Sequence, residues 1–215
     1  MEQQNIIDAT ATFVRNFHSS DSSGHDWWHI ERVRKAALQI GKRENADLFV
    51  VEMAALLHDV ADEKLNKSEE AGLVKVRNWL SSLHIPDSKQ EEMIDIISTM
   101  SFKGGNRPPM RTIEGKVVQD ADRLDAIGAI GIARTFAFAG AHGELMYDPE
   151  LPYRKDMTSE EYRNGKSTAV NHFYEKLLKL KDTLNTEAAK KVAQERHDFM
   201  VRFLEQFYKE WNGQL

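Results

Sequence analysis

Residues Ala46–Val60 read ADLFVVEMAALLHDV and form the most apolar segment of the chain. Its apolar residues are nearly continuous, and it lacks the alternation of β-branched with polar residues that marks a half-buried strand. We therefore predict a helix from Ala46 to about Val60 that is buried among other helices.

Helical periodicity recurs on both sides of this segment. Toward the N-terminus, Ile6–Phe17 has the apolar spacing of an amphipathic helix, and a second helix is predicted from about Asp26 to Glu44. Asp87 follows a proline and precedes a helical pattern, as an N-cap residue does. Toward the C-terminus, helices are predicted over Ser68–Leu83, Asp87–Met100, Thr112–Ala139, Ser167–Leu184 and Thr186–Trp211. Together these elements predict an all-α fold.

Two irregular stretches interrupt the helical pattern. Phe102–Arg111 is rich in glycine and proline and is predicted to be a loop. The segment 140–166 is longer, and structureless segments of this length in compact domains are usually functional. We expect a lid here, in which His142, Tyr147 and Asp148 close over a substrate; ordering of the loop itself would explain these three residues equally well.

The composition is that of an ordinary globular protein. The chain has 215 residues, of which 41% are hydrophobic and 29% charged, so we predict a single domain over residues 1–215. It has no cysteine, which excludes disulfides, thiolate nucleophiles and cysteine-based metal sites. Its formal net charge of −5 argues against a nucleic-acid partner.

Membrane association and export are not expected. The apolar runs are too short to cross a bilayer. Met1–Asp8 is polar and acidic, whereas a signal peptide opens with basic and then apolar residues. The expected location is the cytoplasm.

Four residues on predicted helices form a candidate metal site. His29 follows the apolar spacing of its helix, and His58 and Asp59 lie side by side at the end of the most apolar helix. Asp122 lies on a later helix beside apolar residues, where a carboxylate is costly to bury unless it is paired or bound to a metal. Two imidazoles and two carboxylates suit a divalent ion with positions left for water and substrate.

Each of these residues also has a simpler explanation. A single histidine on an apolar face is more often a hydrogen-bonded core residue, and a His-Asp dipeptide is common by chance. Asp120 and Asp125 compete with Asp122 as the fourth ligand, and Asp125 is alternatively a helix-surface charge. It is the order of histidine, His-Asp pair and aspartate, each on a helix, that favours a metal site.

Three longer sequence words resemble a known family, the HD superfamily of metal-dependent phosphohydrolases. They are GHDWWH at Gly24–His29, LLHDVAD at Leu56–Asp62 and QDADRLDAIG at Gln119–Gly128. The resemblance covers most of the chain, from His25 to the helix near Asn171–Leu180. It implies a helical HD domain whose metal ligands are His29, His58, Asp59 and Asp122.

The resemblance also implies a reaction. It is closest to a small bacterial branch that acts on nucleotides, with nucleoside triphosphate pyrophosphohydrolysis as the implied activity. HD enzymes with two metals use extra histidines between the His-Asp pair and the last aspartate, and only His84 lies in that interval here. We expect one divalent ion, Mn²⁺ first, with Fe²⁺, Ni²⁺, Co²⁺ and Mg²⁺ as alternatives.

Further roles are assigned around this metal site. Asp62 is the candidate for proton transfer because it lies about one turn beyond Asp59 on the predicted helix. A surface acid at the C-terminal end of that helix, paired with Lys64, would explain Asp62 equally well. His25, Lys64 and Lys103 are the candidates for substrate binding, although a lysine in such a position is more often only a solvated charge. Family members often carry glutamate at the position of Asp62, and guanosine-tetraphosphate hydrolases carry Glu-Asp there. The reversed order Asp62-Glu63 argues against an alarmone hydrolase.

The expected function is therefore hydrolysis of a small-molecule nucleotide, with a nucleoside triphosphate giving monophosphate and pyrophosphate. A nucleoside monophosphatase or another phosphate ester hydrolase on the same metal is the first alternative. A non-catalytic nucleotide sensor is the second, and it would be expected to have lost a ligand. Whether the chain forms a homodimer is left open.

Overall fold

The computed structural model describes residues 2–18, 26–62, 65–100, 109–155, 157 and 165–214. Within these ranges the chain forms α-helices and two 3₁₀-helices and no strand, so the all-α prediction is confirmed. The α-helices are α1 (Gln3–Phe17), α2 (Trp27–Glu44), α3 (Leu48–Leu57), α4 (Glu69–Ser81), α5 (Asp87–Thr99), α6 (Ile113–Asp125), α7 (Gly128–Ala141), α8 (Ala169–Glu175) and α9 (Glu187–Trp211). The 3₁₀-helices are His58–Ala61 and Leu177–Thr183.

The chain divides into two compact units, Met1–Ala121 and Asp122–Leu215. The prediction of a single domain over residues 1–215 stays a prediction. In the described part of the chain no single helix has the length and apolar composition of a membrane span. The consecutive helices α6 and α7 meet both requirements only when they are taken together.

Helix α3 is the centre of the first unit, as its apolar sequence predicts. It packs against α1, α2 and α5, and every residue from Phe49 to Leu57 except Glu52 is buried. Glu52 instead pairs with Arg34 of α2, whose guanidinium nitrogen lies 2.5 Å from its carboxylate. The helix ends at Leu57, and the chain continues as the 3₁₀-helix His58–Ala61.

Side-chain caps fix the start of several helices in this unit, among them α2, α3 and α4. Asp26 caps α2, Asp47 caps α3 and Ser68 caps α4, in each case by accepting a hydrogen bond from a backbone N–H of the first turn. The N-cap predicted at Asp87 is wrong. Pro86 holds the N-cap position of α5, because its carbonyl accepts the first helical hydrogen bonds and its extended backbone lies outside the helix.

The helix predicted over Thr112–Ala139 is two helices, α6 and α7. The break falls where Gly128 adopts a left-handed backbone with φ of 76°, a conformation that glycine reaches without steric cost. A Cβ atom on Gly128 would lie 2.9 Å from Cγ of Arg196, and Arg196 also donates a hydrogen bond to the carbonyl of Leu124 near the end of α6. An arginine distant in the sequence therefore packs against the break and leaves no room for a side chain at Gly128.

The helix predicted over Ser167–Leu184 is also interrupted. Thr168 caps α8, which ends at Glu175, and Lys176 leaves the helical region with φ of −138°. The chain then continues as the 3₁₀-helix Leu177–Thr183. In the second unit α9 packs against α7 and against this 3₁₀-helix.

The described part of the predicted lid is anchored within the second unit. The carboxylate of Glu175, at the end of α8, accepts hydrogen bonds from the backbone and guanidinium of Arg154 at 2.8–3.1 Å and from the hydroxyl of Ser167 at 3.0 Å. Burial raises the pKa of Glu175, but these hydrogen bonds outweigh it and hold the pKa below its ordinary value. The carbonyl of Leu151 accepts a further bond from Asn171.

The three residues singled out in this loop have local packing roles. The ring of Tyr147 lies edge-on to the rings of Phe207, Tyr208 and Trp211 in α9, with centroids 5.0–5.9 Å apart. The Asp148 carboxylate accepts from the backbone N–H two residues on, and the His142 ring stacks on Phe138 of α7, the helix that ends one residue before His142. These contacts favour the ordering of the loop as the explanation of the three residues.

Candidate metal centre

Three of the predicted ligands meet in the first unit. His29 Nε2 lies 3.3 Å from His58 Nε2 and 3.4 Å from an oxygen of Asp59, and His58 Nε2 lies 3.3 Å from the other oxygen of Asp59. All three residues are buried, with exposed fractions of 2%, 7% and 8% in chain order. This is the one group of three or more histidine, cysteine or carboxylate side chains with metal-binding spacing among the residues that the structure describes.

A local hydrogen bond positions each of the two histidines. The carboxylate of Asp26 accepts the backbone N–H of His29 at 2.9 Å, which fixes His29 in the first turn of α2. His58 follows the last residue of α3, and its Nδ1 lies 2.8 Å from the carbonyl oxygen of Ala55. Because a carbonyl only accepts, Nδ1 carries the proton, and in the neutral ring Nε2 carries the lone pair. Such a backbone partner is the usual way in which a ligating histidine is oriented.

The spacing of these donor atoms fits a divalent ion. Ligand atoms about 2.0–2.2 Å from a metal are separated by roughly 3.0–3.5 Å in octahedral or tetrahedral coordination. The three separations of 3.3–3.4 Å lie in that interval. Two imidazoles and a carboxylate make a mixed nitrogen and oxygen set that suits Mn²⁺, Fe²⁺ or Ni²⁺.

The fourth predicted ligand, Asp122, lies on α6 and opens the second unit. It is partly exposed, whereas its rivals Asp120 and Asp125 are buried. Asp125 pairs with Arg134 at 2.6 Å, so it is not a helix-surface charge. Assignment of Asp122 as a ligand stays a prediction.

Asp62 does not lie on the helix that carries Asp59, contrary to the prediction. The 3₁₀-helix ends at Ala61, and Asp62 has an extended backbone with φ of −60° and ψ of 132°. Its N–H still donates to the carbonyl of Asp59 at 3.1 Å, so the two residues are joined through the backbone. Its role in proton transfer stays a prediction.

The other residues considered for the site lie in different parts of the chain. His25, Lys64 and Lys103 lie outside the described residues. His84 is exposed in the turn before α5.

Comparison with known proteins identifies the family. The HD domain family matches residues 27–127. YpgQ of Bacillus subtilis (strain 168) is 41% identical to this chain, and the matched region covers 99% of this chain and 97% of YpgQ. A solved structure of an HD-superfamily hydrolase from Bacillus thuringiensis is 52% identical with a TM-score of 0.80, covering 99% of this chain and all of that one. The structure of YpgQ in complex with ADP has a TM-score of 0.79 and covers 98% of this chain and 97% of that one.

This chain therefore belongs to the HD superfamily. It is an HD-type metal-dependent phosphohydrolase.

Proposed function

We propose that this protein hydrolyses a nucleoside triphosphate, with deoxynucleotides preferred, to the monophosphate and pyrophosphate. In this reaction an oxygen of water bonds to the α-phosphorus, and the oxygen that bridges the α- and β-phosphorus atoms leaves with pyrophosphate. The observation that carries the proposal is the buried group of His29, His58 and Asp59 in an HD-family chain. These three residues, with Asp122, would hold one divalent ion, and Mn²⁺ is our first choice.

A divalent ion at this site supplies positive charge to a phosphoryl oxygen and lowers the pKa of bound water. The chain's own residues contribute orientation. Asp26 holds the backbone N–H of His29, and the carbonyl of Ala55 holds the ring of His58, so the backbone of the first histidine and the ring of the second are positioned before substrate arrives. Asp62, three residues beyond Asp59, is our candidate for carrying the proton.

A relative supports a nucleotide as the substrate. YpgQ has been crystallised with ADP, a nucleotide in which a bridging oxygen joins the α- and β-phosphorus atoms. A protein of this family therefore accepts a nucleotide that carries a β-phosphate, which is the part a pyrophosphate leaving group requires. His25, Lys64 and Lys103 remain our candidates for binding the phosphates, because a leaving pyrophosphate needs neutralisation by cations. Cytoplasmic location and a homodimer also remain proposals.

Product analysis tests the reaction. Metal-stripped protein is supplied in turn with Mn²⁺, Mg²⁺, Fe²⁺, Co²⁺ or Ni²⁺ and with a panel of nucleotides, and the products are separated as phosphate and pyrophosphate. We expect monophosphate and pyrophosphate in equal amounts from a triphosphate, with the greatest rate in Mn²⁺. In water labelled with heavy oxygen, the label should appear in the monophosphate.

Two analogues locate the bond that breaks. A triphosphate with a methylene group between the α- and β-phosphorus atoms should resist hydrolysis, and one with the methylene between the β- and γ-phosphorus atoms should still be cleaved. Phosphate released from a nucleoside monophosphate, with triphosphates untouched, would instead establish a monophosphatase. Tight nucleotide binding without turnover in any metal would establish a sensor.

A further inference from the structure

The segment that leaves the candidate metal centre is held by one asparagine. The side-chain nitrogen of Asn66 donates two hydrogen bonds, to the carbonyls of Val60 and Asp62, each at 2.8 Å. These carbonyls flank Ala61, where the 3₁₀-helix that begins with His58 ends. Both protons of the amide are used, so the side chain holds the backbone on both sides of the point where the chain turns.

A second contact orients the amide of Asn66. Its oxygen accepts from the ammonium of Lys75 in α4 at 2.6 Å. Lys75 also lies over the ring of Phe17, 5.1 Å from the ring centre. The lysine leaves Asn66 only the orientation in which its nitrogen faces the two carbonyls.

Helix α4 packs directly against the same segment, because Gly72 has no side chain. A Cβ atom on Gly72 would lie 2.6 Å from Cα of Ala61, 2.7 Å from its carbonyl oxygen and 2.8 Å from the side-chain nitrogen of Asn66. Such distances are far shorter than van der Waals contact, and two of the three atoms are backbone. Glycine is therefore required here, because any side chain would push the Ala61 backbone out of place.

We propose that Asn66, oriented by Lys75 and backed by Gly72, is a positioning residue that holds the backbone of Asp62 for the reaction. This inference rests on the proposed function, in which Asp62 carries the proton. Asp59 precedes the two carbonyls that Asn66 binds, and its side chain lies among the imidazoles of His29 and His58. Loss of Asn66 therefore affects turnover more than metal binding.

The test compares Asn66→Asp with Asn78→Asp. The first replaces the donating nitrogen by an oxygen that repels both carbonyls, and the second makes the same chemical change at an exposed position of α4. In metal-free protein, the amides of Asp62 and Leu65 should exchange hydrogen about 10-fold faster in Asn66→Asp than in wild type, since two hydrogen bonds are lost. Asn78→Asp should match wild type. Equal exchange in all three proteins would overturn the proposal.

Measurements of kcat and KM test whether Asn66 acts on the reaction through Asp62. We expect Asn66→Asp to lower kcat by about 10-fold or more, with KM and Mn²⁺ affinity within about twofold of wild type. In an Asp62→Asn background the same substitution should cause no further loss, because residues that act as a unit are not additive. Gly72→Ala, which displaces Ala61 from the other side, should behave in the same way and provides a second variant.

The outcomes separate this inference from the proposed function. A fall in kcat that persists in full in the Asp62→Asn background would show that Asn66 does not act through Asp62, and the inference would be wrong. If wild-type protein hydrolyses no nucleotide in any metal, the proposed function fails. In that case the hydrogen exchange of Asp62 and Leu65 still decides whether Asn66 holds this backbone.

Discussion

Asp59→Ala should abolish both Mn²⁺ retention and hydrolysis, with a loss of activity of about 10³-fold or more. Asp59 is the only carboxylate in the group of three, and its two oxygens lie 3.3 and 3.4 Å from the two imidazole nitrogens. Without it, two imidazoles remain and a divalent ion would lose its anionic ligand in this group. Mn²⁺ bound per chain after desalting, measured beside turnover, checks the expectation.

Matched variants separate loss of the metal from loss of the fold. Asp8→Ala makes the same chemical change at an exposed position of α1 and should retain both Mn²⁺ and activity. Asp59→Asn keeps the shape of the side chain and should lose the metal while its thermal unfolding stays cooperative. An Asp59→Ala protein that binds Mn²⁺ and turns over like Asp8→Ala would remove Asp59 from the site.

Asp62→Asn should keep the metal and lower kcat by about 10²-fold or more, the usual contribution of a positioned acid or base. Asparagine matches the size of aspartate but does not exchange a proton near neutral pH. The residue lies outside the group of three and is joined to Asp59 by a backbone hydrogen bond of 3.1 Å. Measured kcat, KM and Mn²⁺ affinity distinguish a lost proton carrier from a lost ligand.

A conservative variant sharpens this second test. Asp62→Glu restores a carboxylate on a longer side chain and should recover part of the kcat that Asp62→Asn loses. Full activity in Asp62→Asn would exclude the residue from the mechanism. Loss of Mn²⁺ from the same variant would instead make Asp62 a ligand.

Local sequence signals predicted the parts of the fold that depend on neighbouring residues. The continuous apolar residues of Phe49–Leu57 require burial, and α3 is buried. The second helix begins close to its predicted start at Asp26, which caps it through a hydrogen bond within its own first turn. The approach of His29, His58 and Asp59 followed from the order of these residues and from the family resemblance, since helical periodicity alone does not bring two helices together.

Features that depend on distant residues were missed. The break at Gly128 involves Arg196, which no pattern around Gly128 reveals. The position of Asp62 depends on where the 3₁₀-helix ends, and that end is held by Asn66 and by the lack of a side chain at Gly72. An asparagine and a glycine in those positions resemble ordinary turn and helix residues, so the sequence offered no signal for their role.

Anomalous diffraction from crystals soaked in Mn²⁺ locates the metal ion and its ligands. We predict one strong peak per chain, about 2.0–2.3 Å from Nε2 of His29 and of His58, with oxygens of Asp59 and Asp122 completing the protein ligands. A peak held by His29, His58 and Asp59 with another residue in place of Asp122 would correct only the fourth ligand. No peak at these three residues, in crystals that bind Mn²⁺ elsewhere, would contradict the account.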